Sequence, residues 1–161
     1  MESVMQHTYA MEQVLARQAV LADLRILAPL LDAYRVFYGS GSDVEAASRF
    51  LLERFNNGES VLFIAIAEDT AVGFCQLYPS FSSVLLARIF ILNDLYVLES
   101  YRTQGIATML LKAAAEFARE LGAIRLTLST AITNRAAQNL YEQAGWIRDQ
   151  DFYVYSLKLS A

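Results

Sequence analysis

The segment Glu99-Ser100-Tyr101-Arg102-Thr103-Gln104-Gly105-Ile106-Ala107-Thr108 holds residue types able to grip an anion. It joins a long apolar, β-branched run to a stretch of 3.6-residue periodicity, so it reads as a turn from a strand into a helix. The first amides of such a helix have no intrahelical partner and lie at the positive end of the helix dipole, where a phosphate binds well. Gly105 has no Cβ to hold a phosphate away, Ala107 keeps the next position small, and Arg102 adds a permanent cation. A glycine near a helix start is also common without any ligand, so phosphate binding and plain turn chemistry both stay open. Two familiar phosphate motifs are excluded. No second glycine follows before Gly122, as a dinucleotide fingerprint requires, and Ile106-Ala107 stands where a P-loop needs Lys-Ser/Thr.

Other chemistries fall away by residue count. One histidine, His7, and one cysteine, Cys75, rule out a Ser-His or Cys-His pair in the body of the chain, an internal disulfide, a cysteine-rich zinc site and a His-cluster metal site. No metal is expected, and Cys75 reads as a small buried strand residue. The chain has 161 residues, 55% apolar and 19% charged, which fits one globular domain with its own core. A net charge of −4 speaks against nucleic acid and slightly favours cationic or amine substrates. The N-terminus carries no signal-like segment, and no apolar run reaches the ~18 residues of a membrane span. The expectation is a soluble, cytoplasmic protein: a flexible tail over residues 1–12, with His7 disordered, then one domain over 13–161.

The elements that must position the turn follow from periodicity. Val14–Ala19 reads as an opening strand. Asp23 starts a helix through Leu24, Leu27, Leu30, Leu31, Tyr34 and Tyr38, with Pro29 marking a kink or a later start. Gly39–Ser42 is a loop, and Asp43 caps a second helix ending at Asn56-Asn57-Gly58. Ser60–Ala67 and Ala71–Tyr78 read as a hairpin around Glu68-Asp69-Thr70. Val84–Val97 reads as a central strand covered on both faces. A third helix, with Ala107, Leu110, Leu111, Ala114, Phe117, Ala118 and Leu121 on one face, closes at Gly122. Ile124–Ser129 alternates as a half-buried strand. Asn134 opens a fourth helix whose inner face is Ala137, Leu140, Tyr141 and Ala144, closed by Gly145. Trp146–Arg148 and Phe152–Leu159 read as two closing strands. The order is that of an α+β sheet with one embedded parallel β-α-β unit.

With these elements in place, two segments become recognisable. Leu95-Tyr96-Val97, four residues, then Arg102-Thr103-Gln104-Gly105-Ile106-Ala107 resembles the acetyl-CoA signature of the GNAT N-acetyltransferase superfamily, Q/R-x-x-G-x-G/A. Asn134-Arg135-Ala136-Ala137-Gln138-Asn139-Leu140-Tyr141-Glu142-Gln143-Ala144-Gly145-Trp146 resembles the second hallmark, N-x-x-A-x-x-L/F-Y-x-x-x-G-F/W. Each motif is moderately specific; both in order are a strong signal. The resemblance implies a mixed, mostly antiparallel sheet of six to seven strands with four helices, in which two parallel strands, Ile91–Val97 and Ile124–Ser129, splay after a β-bulge near Asn93–Leu95. Acetyl-CoA would be the co-substrate, its pantetheine pairing with the backbone at Leu95 and Val97 along Tyr96. Its pyrophosphate would lie on the amides from Gln104 to Thr108, within the Arg102–Thr108 turn.

The resemblance also implies roles. Leu95 N–H would stabilise the developing oxyanion, Tyr141 would be the general acid beside the sulfur, and Asn134, with Ala137 in its turn, would cap the fourth helix and touch the pantetheine arm. Tyr141 as a core residue and Asn134 as a cap alone are the plain alternatives. Relatives often carry a Glu or His base where this chain has Ile91 or Asn93. Ile91 takes no proton, and Asn93 can only hold a water. Asp94 is adjacent, but alternation turns it to the opposite face unless the bulge re-aims it. A water chain ordered by Asn93, or an amine that enters neutral, is the favoured route. Leu92–Val97 resembles the polyamine and thialysine branch, with Asn93 replacing its usual Glu. Tyr34, Tyr38 and Tyr78, with Phe37, are candidates for an acceptor wall; Tyr34 leans to the core and Tyr38 to the site. The expected reaction is acetyl transfer to a primary amine of a small molecule by direct attack in a ternary complex. The alternatives are a protein lysine or N-terminal acetyltransferase, or a silent CoA-binding module. Phe152–Leu157 is apolar at both parities and implies a homodimer.

Overall fold

The computed structural model describes residues 9–11 and 14–159. They separate into two compact units, one ending at Ser129 and one beginning at Thr130. The first unit holds strands β1 (Tyr9–Met11), β2 (Val14–Gln18), β3 (Val61–Ala67), β4 (Thr70–Ser82), β5 (Ala87–Val97) and β6 (Leu126–Thr127), with helices α1 (Leu24–Phe37), α2 (Val44–Asn56) and α3 (Ile106–Glu120). The second unit holds helix α4 (Arg135–Gln143). The six strands form one sheet in sequence order. Every pairing is antiparallel except β5 with β6, which is parallel.

Local signals produced most of these elements. Glu68 (φ 44°) and Asp69 (φ 67°) form the two-residue turn between Ala67 and Thr70, the left-handed geometry that suits the twist of a hairpin. Asp43 accepts from Ala46 N at 2.8 Å and so caps α2. Helix α1 runs unbroken through Pro29, because that residue lies on the exposed side where the carbonyl it leaves unpaired meets water. At the far end of α3, Gly122 takes φ 70° and Ala123 N donates to Ala118 O at 2.9 Å, a glycine-dependent stop.

The sheet has a helix layer on each face. On one side Leu27, Leu30 and Leu31 of α1 and Leu51 of α2 bury against Leu62, Ile64 and Phe74. On the other, α3 lays Phe117 against the rings of Phe63 and Phe90, with centroids 5.7 and 5.9 Å apart. Gly73 allows that closeness: a Cβ there would meet Tyr96 O at 3.0 Å and Leu110 Cδ1 at 3.4 Å. Cys75 is a buried strand residue, as expected, with its sulfur facing Leu110 O at 3.8 Å.

Four expectations change. Val84–Leu86 are not strand but the exposed tip of the β4–β5 hairpin, and the strand buried on both faces is β4, over Val72–Leu77. An apolar run identifies a strand without saying which strand lies centrally. Tyr9–Met11, assigned to the tail, pair with Val14–Ala16 through their backbone; the rest of residues 1–12, His7 included, lies outside the described residues. The parallel strand spans only Leu126–Thr127 rather than Ile124–Ser129, because its neighbour diverges. Trp146–Arg148 and Phe152–Leu159 form no strand: β propensity needs an edge to pair with, and no ladder reaches them among the described residues. No helix among the described residues is long and apolar enough to cross a membrane.

Candidate active site

Strand β5 changes character halfway. Phe90 and Ile91 pair with Leu126 and Thr127, and there the parallel ladder ends. Among the described residues, the strand from Leu92 to Val97 continues with β4 alone paired to it. Against β4 the register also slips: Leu77 faces Leu92, but Gln76 faces Asp94, so Asn93 is the extra residue of a β-bulge. Leu98 N donates to Val72 O at 2.9 Å. Because N–H groups alternate between the two edges of a strand, those of Leu95 and Val97 face the edge on which no described strand pairs. Leu95 therefore presents a backbone donor there, and an extended chain of amides has a place to pair.

The bulge decides where Asp94 points. Regular alternation would send it toward α3; the extra residue returns it to the α1 face, opposite Gln76. There it is buried in a polar cluster. Gln76 Nε2 donates to Asp94 Oδ2 at 2.7 Å and to Tyr78 Oη at 3.0 Å. Asn93 Nδ2 donates to Asp94 Oδ1 at 3.1 Å, and Tyr34 Oη donates to Asn93 O at 3.3 Å. Burial pushes the Asp94 carboxyl above the usual carboxylate range, while hydrogen bonds from Gln76, Asn93 and Tyr34 hold it partly down. Burial, then the neighbouring Asp94 charge, pushes the Tyr78 phenol up to about 12.

Tyr34 packs into the core and also touches the bulge. Its ring packs edge-on to Phe74 and Tyr96, and its hydroxyl reaches the bulge. Tyr38 stands half exposed at the end of α1 with its ring against Tyr34. Gln76 escaped sequence reading altogether. Its signal was available: a lone amide inside Phe74-Cys75-Gln76-Leu77, where every neighbour is apolar, has to find a buried partner.

At the head of α3, Gly105 takes φ 81°, and no side chain caps the helix. The first-turn amides of Ile106, Ala107 and Thr108 are open to an anion. Only the backbone of Ile106 serves, since its side chain is buried. Thr103 and Gln104 brace the turn: Thr103 Oγ1 donates to Arg102 O at 2.7 Å, and Gln104 Nε2 donates to Ser100 O at 3.2 Å. Arg102 also has partners within the protein. Its Nε donates to Val97 O at 3.0 Å, and its guanidinium lies 5.6 Å from the Phe37 ring centre and 5.7 Å from that of Tyr96. The aromatic faces attract the cation and tie it to the end of β5.

In the second unit, Asn134 Oδ1 accepts from Ala137 N at 3.1 Å, so Asn134 is a cap and the Ala137 amide is already engaged. Tyr141, half buried, lies with its ring 6.0 Å from that of Trp146.

Comparison with known proteins gives one answer. Residues 27–146 match the acetyltransferase (GNAT) family. An uncharacterized N-acetyltransferase of Bacillus subtilis, YhfO, is 47% identical over 145 residues, covering 90% of this chain and 97% of its own. A probable acetyltransferase of Haemophilus influenzae is 33% identical over 142 residues, covering 86% of this chain and 93% of its own. A crystal structure of a probable acetyltransferase superposes with a TM-score of 0.86 at 47% identity, covering 91% of this chain and 98% of that one. The splayed strands, the bulge and the uncapped helix head therefore belong to a member of the GNAT family, an acetyl-transferring enzyme of the kind that uses acetyl-CoA as co-substrate.

Proposed function

We propose that this enzyme acetylates a primary amine of a small molecule, a polyamine or an amino-acid derivative, by direct attack within a ternary complex. The observation that carries the proposal is the Asn93 bulge, which turns the buried Asp94 carboxyl onto the face lined by Tyr34 and Tyr78. An alkylamine has a pKa near ~10.4 and is mostly charged at neutral pH, so its acetylation requires a proton acceptor. A carboxyl whose burial raises its proton affinity suits that task, and while ionised it attracts the ammonium form.

The residues present fit acetyl-CoA. The glycine head of α3 offers uncapped amides for the pyrophosphate, and the free edge at Leu95 and Val97 offers backbone groups for the pantetheine amides. When bound, acetyl-CoA supplies an acetyl group activated as a thioester, and transfer replaces its C–S bond by a C–N bond to the amine. Leu95 N–H stabilises negative charge developing on the acetyl oxygen. Asp94 accepts the proton that the amine sheds, and Asn93 steadies its Oδ1. Tyr141 gives its hydroxyl proton to the departing sulfur, a role that rests on the family motif. Tyr38, Tyr34 and Tyr78 form the acceptor wall.

Thiol release from acetyl-CoA, measured across polyamines, ornithine- and lysine-like amines and peptides with free N-termini, tests the reading. Turnover of the small amines supports it. Turnover confined to the peptides replaces it with protein acetylation, and no turnover with any amine favours a CoA-binding module.

A homodimer belongs to the same proposal. Phe152, Tyr153, Val154, Tyr155 and Leu157 are each more than 80% exposed, an apolar segment of high strand propensity that a second copy would cover. Light scattering at a monomer mass across the working concentration range removes the dimer.

A further inference from the structure

Deepening the reading above, we infer that Gln76 is a positioning residue for the proton transfer: its one side-chain nitrogen ties the Asp94 carboxylate to the Tyr78 hydroxyl and fixes how both face the amine. Nothing in the motifs marks this residue, and it comes from β4, outside both sequence hallmarks. The Gln76 amide nitrogen has two hydrogens, and the geometry assigns one to Asp94 Oδ2 at 2.7 Å and the other to Tyr78 Oη at 3.0 Å. Two consequences follow. Gln76 Nε2 holds Asp94 Oδ2 while Asn93 Nδ2 holds Oδ1, so both oxygens of the carboxylate are restrained. Tyr78, whose oxygen accepts from Gln76, keeps its own hydrogen for another partner.

The orientation of the amide is itself informative. Turning Gln76 over would set Oε1 against a carboxylate oxygen 2.7 Å away, which an ionised Asp94 forbids. The observed orientation instead leaves Oε1 buried with no hydrogen-bond partner among the described residues. An unmade hydrogen bond of that kind is costly, and it is tolerated here because two donated bonds, one of them to a charge, outweigh it.

The groups facing Asp94 are few. Tyr34 reaches it from α1 and Tyr78 from β4; the Cys75 thiol lies behind it on the same strand, and Arg54 of α2 acts on Tyr78. Burial raises the proton affinity of Asp94, and the donated bonds, Gln76 first among them, work against it. Removing the Gln76 donor therefore moves Asp94 ionisation to higher pH.

The experiment uses the full chain with Gln76→Leu, and Gln76→Met, of similar reach, alongside. Carbon-13 NMR of aspartate-labelled protein, with the Asp94 signal assigned through Asp94→Asn, reads the carboxyl directly and requires no turnover. The acid limb of the pH–rate profile for acetyl transfer reads its use. Expected are an upward move of both by about one pH unit, hence about tenfold slower transfer on the acid side of the limb, with an unchanged melting temperature. In the unmodified enzyme, the Gln76 side-chain amide resonances should titrate together with the Asp94 carboxyl. An Asp94 signal that stays in place in the variants, or Gln76 resonances flat through the Asp94 titration, overturns the inference. A moved signal with an unmoved acid limb also overturns the positioning role, leaving Gln76 as structure only. Full activity in Asp94→Asn sinks the proposed base instead, and the NMR arms then still report on Gln76.

Discussion

The two halves of β5 are built on different terms. From Ala87 to Ile91 the strand pairs with β4 throughout, Phe90 and Ile91 pair with β6 as well, and Phe90 packs against Phe117. From Leu92 to Val97 it keeps one partner, gains an extra residue and gathers Gln76, Asn93 and Asp94 into a polar cluster. The first half obeys every rule of sheet construction and contributes stability. The second breaks three of them: continuous pairing, regular alternation, and the exclusion of carboxylates from the interior. Departures from regularity cost free energy, and they persist where they position chemistry.

That contrast is open to direct attack. Asp94→Asn, in the irregular half, should lower kcat by about a thousandfold in the thiol-release assay, in the range of a lost general base. The same variant should melt no lower than the parent near neutral pH. Burial raises the folded-state affinity of Asp94 for its proton, so its contribution to stability is present below the unfolded pKa and fades as pH rises through the folded one. Replacing it therefore removes a burden at neutral pH, and the parent should recover the difference on acidification.

Phe90→Ala, in the regular half, should do the reverse. Deleting a fully buried aromatic costs about 3 kcal/mol in denaturant unfolding, while kcat of the folded fraction stays near the parent value. Similar kcat losses from Phe90→Ala and Asp94→Asn would erase the distinction between the halves. Gly105→Val probes the helix head next to the irregular half. A β-branched residue at φ 81° is strained and places methyl groups where the phosphate would lie, so calorimetry should show acetyl-CoA affinity about tenfold weaker. The smallest effect belongs to Arg102→Lys. Charge survives, but the bond to Val97 O and the planar contacts with Phe37 and Tyr96 do not, so KM for the amine should rise about threefold at nearly constant acetyl-CoA affinity. A larger loss of acetyl-CoA affinity than of amine KM would return Arg102 to the phosphate.

Several of these features were readable without coordinates. The caps at Asp43 and Asn134, the stop at Gly122 and the Glu68-Asp69 hairpin depend on residues within a few positions of one another, and they form where local chemistry places them. Features that depend on distant partners were less legible. Asp94 was a candidate whose direction hung on the bulge, and the bulge exists only as a mismatch between β5 and β4. Gln76 gained meaning only when Asp94 and Tyr78 came within hydrogen-bond reach. The contact of Arg102 with the Phe37 ring was not legible, because the two are remote in sequence. Phe152–Leu159 carries strand propensity and forms no ladder, since propensity does not supply a neighbour.

By itself, the order of residues determined the helix faces, the caps, the turns and the two segments that mark the family, because each is a matter of spacing along one chain. Only the packed sheet decided that β5 parts from β6 after Ile91, that Asn93 bulges, and that Asp94 turns inward beside Gln76. The reason is geometric: a strand's facing is set by the register it keeps with its neighbour, and one unmatched residue in that register reverses every side chain beyond it.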